Sequence, residues 1–386
     1  MTQGPSCHIV VIGAGSTGAA IAHDLALRGL RVTVIERAGV ASGTTGHNQG
    51  QLHSGARYAV SDPVAARECV IENRILRRIM PQSLELNGGL FVGWTEEHFS
   101  YRSNFLEACA RCEIPARELP VPEALRLEPS LNPRIHTAVE IPDGVFDPYR
   151  ICLSFLASAR SRGAEVLTFT EVVGLNPPRG EVSVIFRQTR KKMTIGADLI
   201  VNAAGPWAGR VAALAGAKVE VEASAGVLAT VDERVCNKVL NILCPPADGD
   251  IVVPLRMSSI LGTTSWTVAN PDDISIPEGH LDQIFRVAQG LVPGIRRYPL
   301  RGVMTAARPL MVQSGTGGRS ASRGFACYDH AGEGVPGLMS IVGGKTTTAR
   351  AMAEMLSDRV CEKLGIRAEC RTQDVPLLPH RLGVVR

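Results

Sequence analysis

Two hydrophobic periods run through this chain, and the first change of period falls within its first thirty residues. HIVVI, residues 8–12, is a short β-branched apolar block of the kind that forms a strand buried on both faces. Gly13-Ala14-Gly15-Ser16-Thr17-Gly18 follows, and apolar residues then recur at helical spacing through Ala19, Ala20, Ile21, Leu25 and Leu27 until Arg28-Gly29 stops them. RVTVIE resumes the strand pattern and closes on Glu36. Strand, glycine turn, helix and second strand form one βαβ unit.

Further along, DPVAARECVIENRILRRIM predicts a helix with Asp62 as N-cap and Pro63 in its first turn. GGLFVGW reads as a strand, HFSYRSNFLEACARCEI and VPEALRLEPSL as helices, and AVEIPDGVFDP as two short strands about a Pro-Asp-Gly turn. A helix, Gly163 and a strand follow from residue 147, and then a hairpin leading into the apolar DLIVNAAG. From Val219 to Trp266, β-branched runs alternate with turns, which predicts an antiparallel sheet. HLDQIFRVAQGLVPGI is helical, and MSIVGGKTTTARAMAEMLSDRVCEKLG is a strand, a Gly-Gly-Lys turn and a long helix.

The fold class expected is α/β: a discontinuous Rossmann-like dinucleotide domain with an inserted antiparallel β-rich domain. The dinucleotide domain takes residues 1–80, 146–208 and 322–386, and the inserted substrate domain takes 81–145 and 209–321.

Composition excludes several classes. Among 386 residues, 41 are basic and 37 acidic, a net charge of +4 that is too even for a nucleic-acid footprint. The N-terminus shows no secretory signal pattern, and no apolar run is long enough to cross a bilayer. The ten cysteines are read as reduced thiols, and the lone C-x-x-C at 109–112 has no second pair for zinc, so no metal is expected. The expected location is the cytoplasm, including the inner face of the membrane.

The chemistry begins at the glycines. Gly13 permits the tight turn, Gly15 lets backbone approach a pyrophosphate, and Gly18 lets the helix lie close to the strand. Ser16 and Thr17 open that helix, whose N-terminus offers N–H groups to phosphates. Glu36, 23 residues after Gly13, suits hydrogen bonds from a ribose. The fingerprint occurs once, at the start of the chain, which points to one FAD rather than a flavin plus a nicotinamide. The Gly/Ser/Thr-rich stretch after Glu36 reads as a loop packed on that ligand, with Arg37, Thr44, Thr45, Gly46, His47, Gly50 and Gln51 as candidate contacts. Ala204 and Gly205 in VNAAGPWA are candidates for close approach to the cofactor, as are Gly343, Gly344, Lys345 and Thr346 in IVGGKTTTAR. Arg57, Arg308 and Arg323 lie by small-residue turns in separated segments and are candidates for gripping a phosphate or carboxylate. His53 is the candidate base for an alcohol proton, with His47 and His330 behind it.

GAGSTGAAIAHDLALRG, GQLHSGARYAVSD, ECVIENRILRRI, DGVFDPYR, VNAAGPWA, ARPL, SRGF and GGKTTTAR, in this order, resemble the FAD-dependent glycerol-3-phosphate dehydrogenases. The likeness is strongest to the catalytic A subunits of the anaerobic bacterial enzymes, within the D-amino-acid-oxidase-like flavoproteins. The resemblance implies that Arg57, Arg308 and Arg323 lie around the substrate phosphate and flavin. It also matches His53 and Tyr58 to family positions and places Gly343, Gly344 and Lys345 near the flavin ring. The implied activity is oxidation of sn-glycerol 3-phosphate, or a related polyol phosphate, by hydride transfer to flavin N5. Electrons would then pass to a quinone at the membrane surface or to a partner subunit. HNQG at 47–50 departs from the family pattern, which keeps other polyol phosphates open, and the cysteine-rich region that usually follows is not in the sequence, which leaves the acceptor open. A 2-hydroxy-acid or amino-acid oxidase of the same fold, and a non-catalytic electron-transfer subunit, are the alternatives.

Overall fold

The computed structural model describes residues 7–311 and 324–383. Arg323 therefore lies outside the described residues. The βαβ unit comprises β1 (His8–Ile12), α1 (Ser16–Leu27) and β2 (Arg31–Ile35). β1 and β2 lie side by side in the middle of a six-stranded sheet. Glu165–Leu167 extends it beyond β2; Leu199–Asn202, Leu338–Gly343 and Phe325–Asp329 extend it beyond β1. Only the last of these pairs antiparallel.

Alternate residues of these strands feed opposite cores, as a period of two requires. Ile9, Val11, Val32 and Val34 pack against α1 and the helices Pro148–Arg160 and Ala349–Lys363. Val10, Ile12 and Ile35 face a core shared with a three-stranded antiparallel sheet, Thr170–Asn176, Glu181–Phe186 and Lys192–Gly196. Apolar runs that read as continuous in the sequence are thus buried on both faces.

The second sheet has nine strands, all within residues 81–145 and 209–321. Its longest pairing joins Val221–Val231 to Leu300–Met311, with Ser224 opposite Arg308. Helix His280–Leu291 covers one face through Ile284, Ala288 and Leu291. The sheet is antiparallel apart from one pairing, Val239–Ile242 with Gly89–Gly93, which is parallel because the chain re-enters from a segment far away in sequence. Leu300–Met311 escaped sequence reading because the exposed Arg301, the cavity-lining Arg308 and Pro309 blur the alternation.

Helix α2 (Pro63–Ile79) begins as expected: the Asp62 side chain accepts from the Ala65 backbone N–H, and Pro63 occupies the first turn. It lies between the two sheets' cores. Ala66 and Val70 face the β domain, and Ile75, Leu76 and Ile79 face the parallel sheet's core. A three-stranded sheet of Gln51–Leu52, Gly144–Phe146 and Leu84–Glu85 joins the segment before α2 to the turn at Asp143.

Candidate functional site

The first turn after β1 is determined by its glycines. Gly13 takes φ +108°, and a Cβ there would lie 2.6 Å from the Ala203 carbonyl oxygen. A Cβ at Gly18 would sit 1.9 Å from the Gly13 carbonyl, so α1 could not lie so close to β1 with any larger residue. Gly15 is the N-cap of α1 and caps it with no side chain, which leaves the first-turn N–H groups other than that of Ser16 without a side-chain cap. The Ser16 N–H donates to Thr45 Oγ1 at 3.1 Å, which draws the 39–50 loop against the helix start. Glu36 accepts from the Ala14 N–H at Oε2 and from the Ala38 N–H at Oε1, both at 2.9 Å. Those bonds fix the carboxylate at the cavity wall, where its other lone pairs can take ribose hydroxyls.

These groups line one end of a cavity of about 1290 Å³ that runs between the two sheets. At this end the Arg37 guanidinium lies 4.1 Å from the Trp207 ring centroid. Asp272, from the β domain, accepts from Arg37, Trp207 Nε1 and Arg210 at 2.7, 2.9 and 2.7 Å. Burial opposes the Asp272 charge, but these donors outweigh it and hold the carboxyl below its ordinary range. Thr44 Oγ1 donates to the Ala307 carbonyl, a second link between the loop and the β domain.

The other end is built from four distant segments. His53, Arg57, Tyr58, Thr263, Arg308 and Lys345 all line the cavity there. Tyr58 has two of them as neighbours: the His53 ring centroid is 5.4 Å from that of Tyr58, and Lys345 Nζ is 5.0 Å from the Tyr58 centroid. The His53 N–H donates to Thr347 Oγ1 at 3.3 Å, and Asn48 Nδ2 donates to Thr346 Oγ1 at 3.3 Å. These bonds join residues 48 and 53 to the threonines that follow the Gly-Gly-Lys turn. Gly343 and Gly344 take φ +93° and +73°, and the turn leads through Thr346–Thr348 into the helix Ala349–Lys363. Arg308 donates to Thr263 Oγ1 at 3.0 Å and to the Thr264 carbonyl at 2.9 Å.

Not every sequence candidate stands on the wall. Gly13, Gly15, Ser16, Thr17, Glu36, Arg37, Thr44, Thr45, Gln51, Ala204, Gly205, Gly343, Gly344, Lys345 and Thr346 line the cavity. Gly18, Gly46, His47 and Gly50 lie behind it. A Cβ at Gly46 would meet the Ala41 carbonyl at 2.2 Å, one at Gly50 the Phe146 carbonyl at 2.4 Å, and His47 Nδ1 lies 2.8 Å from the Gly43 carbonyl. Gly46, His47 and Gly50 shape the loop, and Gly18 sets the close packing of α1 on β1. His330 is fully buried, with Nδ1 2.7 Å from Glu333 and Nε2 2.9 Å from Ser340 Oγ.

Three acidic residues were not singled out in the sequence. Asp143, in the Pro-Asp-Gly turn, accepts from the Ser54 N–H and Gln51 Nε2, both at 2.7 Å. Burial pushes its carboxyl above the ordinary range, with those donors pulling the other way. Asp250 forms a two-point pair with Arg57 at 2.8 Å on each arm. Asp272 is the third. Each looks in sequence like a common turn aspartate, and only the fold brings its partner near.

Residues 8–358 match the family described as FAD dependent oxidoreductase. The chain is 42% identical over 393 aligned positions to the A1 subunit of the anaerobic glycerol-3-phosphate dehydrogenase of Haloferax volcanii, spanning 98% of this chain and 67% of that protein. It is 38% identical over 381 positions to the A subunit of the anaerobic glycerol-3-phosphate dehydrogenase of Escherichia coli K12, spanning 96% of this chain and 70% of that protein. Among solved structures it is similar to the glycerol-3-phosphate dehydrogenase from Bacillus halodurans complexed with FAD, with a TM-score of 0.71 at 23% identity over 97% of this chain and 68% of that one. That last likeness is one of fold.

Proposed function

The chain belongs to the FAD dependent oxidoreductase family, and from that premise we propose that it oxidises sn-glycerol 3-phosphate, or a close polyol phosphate, to the corresponding keto phosphate. The observation that carries this is the meeting, on one cavity, of the dinucleotide turn at Gly13–Gly18 with His53, Arg57, Arg308 and Lys345. Relatives named as the A subunits of anaerobic glycerol-3-phosphate dehydrogenases support the substrate.

The residues present fit FAD. The uncapped N-terminus of α1 receives the pyrophosphate, Glu36 the adenosine ribose, and the stretch from Ala204 and Gly205 to Gly343 and Gly344 gives close backbone approach for the rest of the cofactor. Bound there, FAD would supply the hydride acceptor for an alcohol oxidation, and the hydroxyl proton would go to a base. His53 would take that proton, a role supported by its backbone bond to Thr347 and its contact with the Tyr58 ring. Lys345 and the turn at Gly343–Gly344 stabilise negative charge at the ring, and Arg308 holds the substrate's anionic group from the β domain. Arg323 completes this set on the family resemblance.

The electron acceptor would be a quinone or a partner subunit, the latter supported by the relatives' designation as A subunits. No helix among the described residues is long and apolar enough to cross a membrane. The test is dye-coupled oxidation across a panel of polyol phosphates, hydroxy acids and amino acids. Turnover with glycerol 3-phosphate and none with the acids is expected. Turnover with a hydroxy or amino acid alone would overturn the reading.

A further inference from the structure

Among the described residues, Arg57 is the least solvent-exposed cation on the cavity wall, with its side chain 6% exposed, and its guanidinium is already engaged. Nη1 donates to Asp250 Oδ2 at 2.8 Å, and Nη2 donates to Asp250 Oδ1 at 2.8 Å and to the Ala247 carbonyl at 3.2 Å. Asp250 lies behind it, off the wall, with its side chain 1% exposed. The aspartate is itself fixed: Oδ2 also accepts from the Ala247 N–H at 3.0 Å, and the Ile242 N–H donates to its carbonyl at 3.1 Å. Gly249 beside it donates to the Thr263 carbonyl at 2.9 Å.

A guanidinium has five N–H groups and can clasp a phosphate through two neighbouring ones. Here the end-on fork of Nη1 and Nη2 is filled by Asp250. The side-on fork is broken, because the second Nη2 N–H goes to Ala247. What is left, Nε–H and one Nη1–H, points away from different edges of the guanidinium and makes single hydrogen bonds. The carboxylate also cancels the local charge, and burial of both partners keeps water from screening that cancellation.

We propose that Asp250 is a positioning residue: it converts Arg57 from a phosphate-binding cation into an oriented, charge-compensated donor for a neutral oxygen of the substrate, its hydroxyl or keto group. The phosphate's counter-charge then comes from the other cations at this end. This rests on the polyol phosphate reading above and revises the role that the resemblance implied for Arg57.

The experiment uses the FAD-loaded enzyme. In Asp250→Asn the Arg57 charge is uncovered and its orientation loosened. Inorganic phosphate, titrated calorimetrically against the oxidised enzyme, should bind at least threefold more tightly, while kcat falls tenfold or more and KM does not rise. A rise in both KM and the phosphate dissociation constant with kcat retained would mean that Arg57 clasps the phosphate, and overturns the proposal. Unchanged kcat, KM and phosphate binding would reduce the pair to a structural one and also overturn it. Should D250N fail to fold, the double variant R57Q/D250N removes both buried charges and keeps polar side chains at both positions. Phosphate binding within about twofold of wild type with kcat lost is expected, and a tenfold loss of phosphate binding is the contrary result. If the unaltered enzyme oxidises no polyol phosphate, the functional reading has failed; if it does and the variants behave contrarily, only the Asp250 claim has.

Discussion

Replacing Glu72 by glutamine tests how the two halves of the site are held together. Glu72 sits on α2, which follows the HSGARY segment, and Arg350 opens the helix that follows the Gly-Gly-Lys turn. Arg350 Nε donates to Glu72 at 3.1 and 2.9 Å and Nη2 donates at 2.5 Å, with the two side chains 4% and 2% exposed. Breaking a buried pair from one side costs about 3–5 kcal/mol, since a charge is left in a medium that solvates it poorly. Here Arg350 keeps Glu354 at 2.7 Å and Thr372 at 3.0 Å, and Glu354 is 36% exposed, so the loss should lie near the lower bound, at about 3 kcal/mol. Urea unfolding of the FAD-free protein should show this as a shifted midpoint with unchanged slope. The double variant E72Q/R350M, which removes both charges, should recover more than half of the loss. A loss below about 0.5 kcal/mol for E72Q, the size of an exposed pair, would refute the reasoning. So would a double variant whose effect equals the sum of the singles.

Other outcomes follow from single sites. Glu36→Ala leaves the Ala14 and Ala38 N–H groups without their acceptor and should weaken FAD binding about tenfold to a hundredfold, read by fluorescence quenching on titrating apoprotein. Asp272→Ala removes the shared acceptor of Arg37, Trp207 and Arg210 and should speed FAD release, measured as flavin fluorescence recovery on dilution. Gly18→Ala, with its Cβ 1.9 Å from the Gly13 carbonyl, should abolish FAD binding or folding, whereas Gly196→Ala, with open space and no left-handed backbone, should do neither. His23 is 1% exposed, neither ring nitrogen has a partner, and burial lowers its pKa from 6.5 to about 4. The native state therefore excludes a proton that the unfolded chain binds below 6.5, so this contribution is intact above that pH and is lost toward 4. Stability should fall by about 2 kcal/mol between pH 7 and 5 from this group, and His23→Phe should flatten that part of the profile.

The parallel sheet, α1 and the glycine turn were legible because their signals are local. Apolar period, N-cap chemistry and glycine spacing all act within about thirty residues. The β domain was legible as a set of strands but not as a topology, since its parallel pairing of Gly89–Gly93 with Val239–Ile242 joins segments about 150 residues apart. In the site, the sequence could show that Arg57 and Arg308 are of a type that holds anions, but not what already holds them. The fold places both at one end of the cavity. It also sets Asp250 against the first and the Thr263–Thr264 oxygens against the second. Asp250 had only DGD in a loop to announce it, a pattern that turns produce everywhere. Likewise His47 and His53 look alike as candidate bases six residues apart, yet the backbone turns one into the loop and the other onto the wall.

The most direct test of the central claim is to mix the purified, FAD-loaded protein with sn-glycerol 3-phosphate in the absence of oxygen and watch the oxidised flavin's visible band. Rapid, saturable bleaching with one keto phosphate formed per flavin is the result predicted. A band that persists with every polyol phosphate offered, in protein shown to hold FAD, would contradict the account.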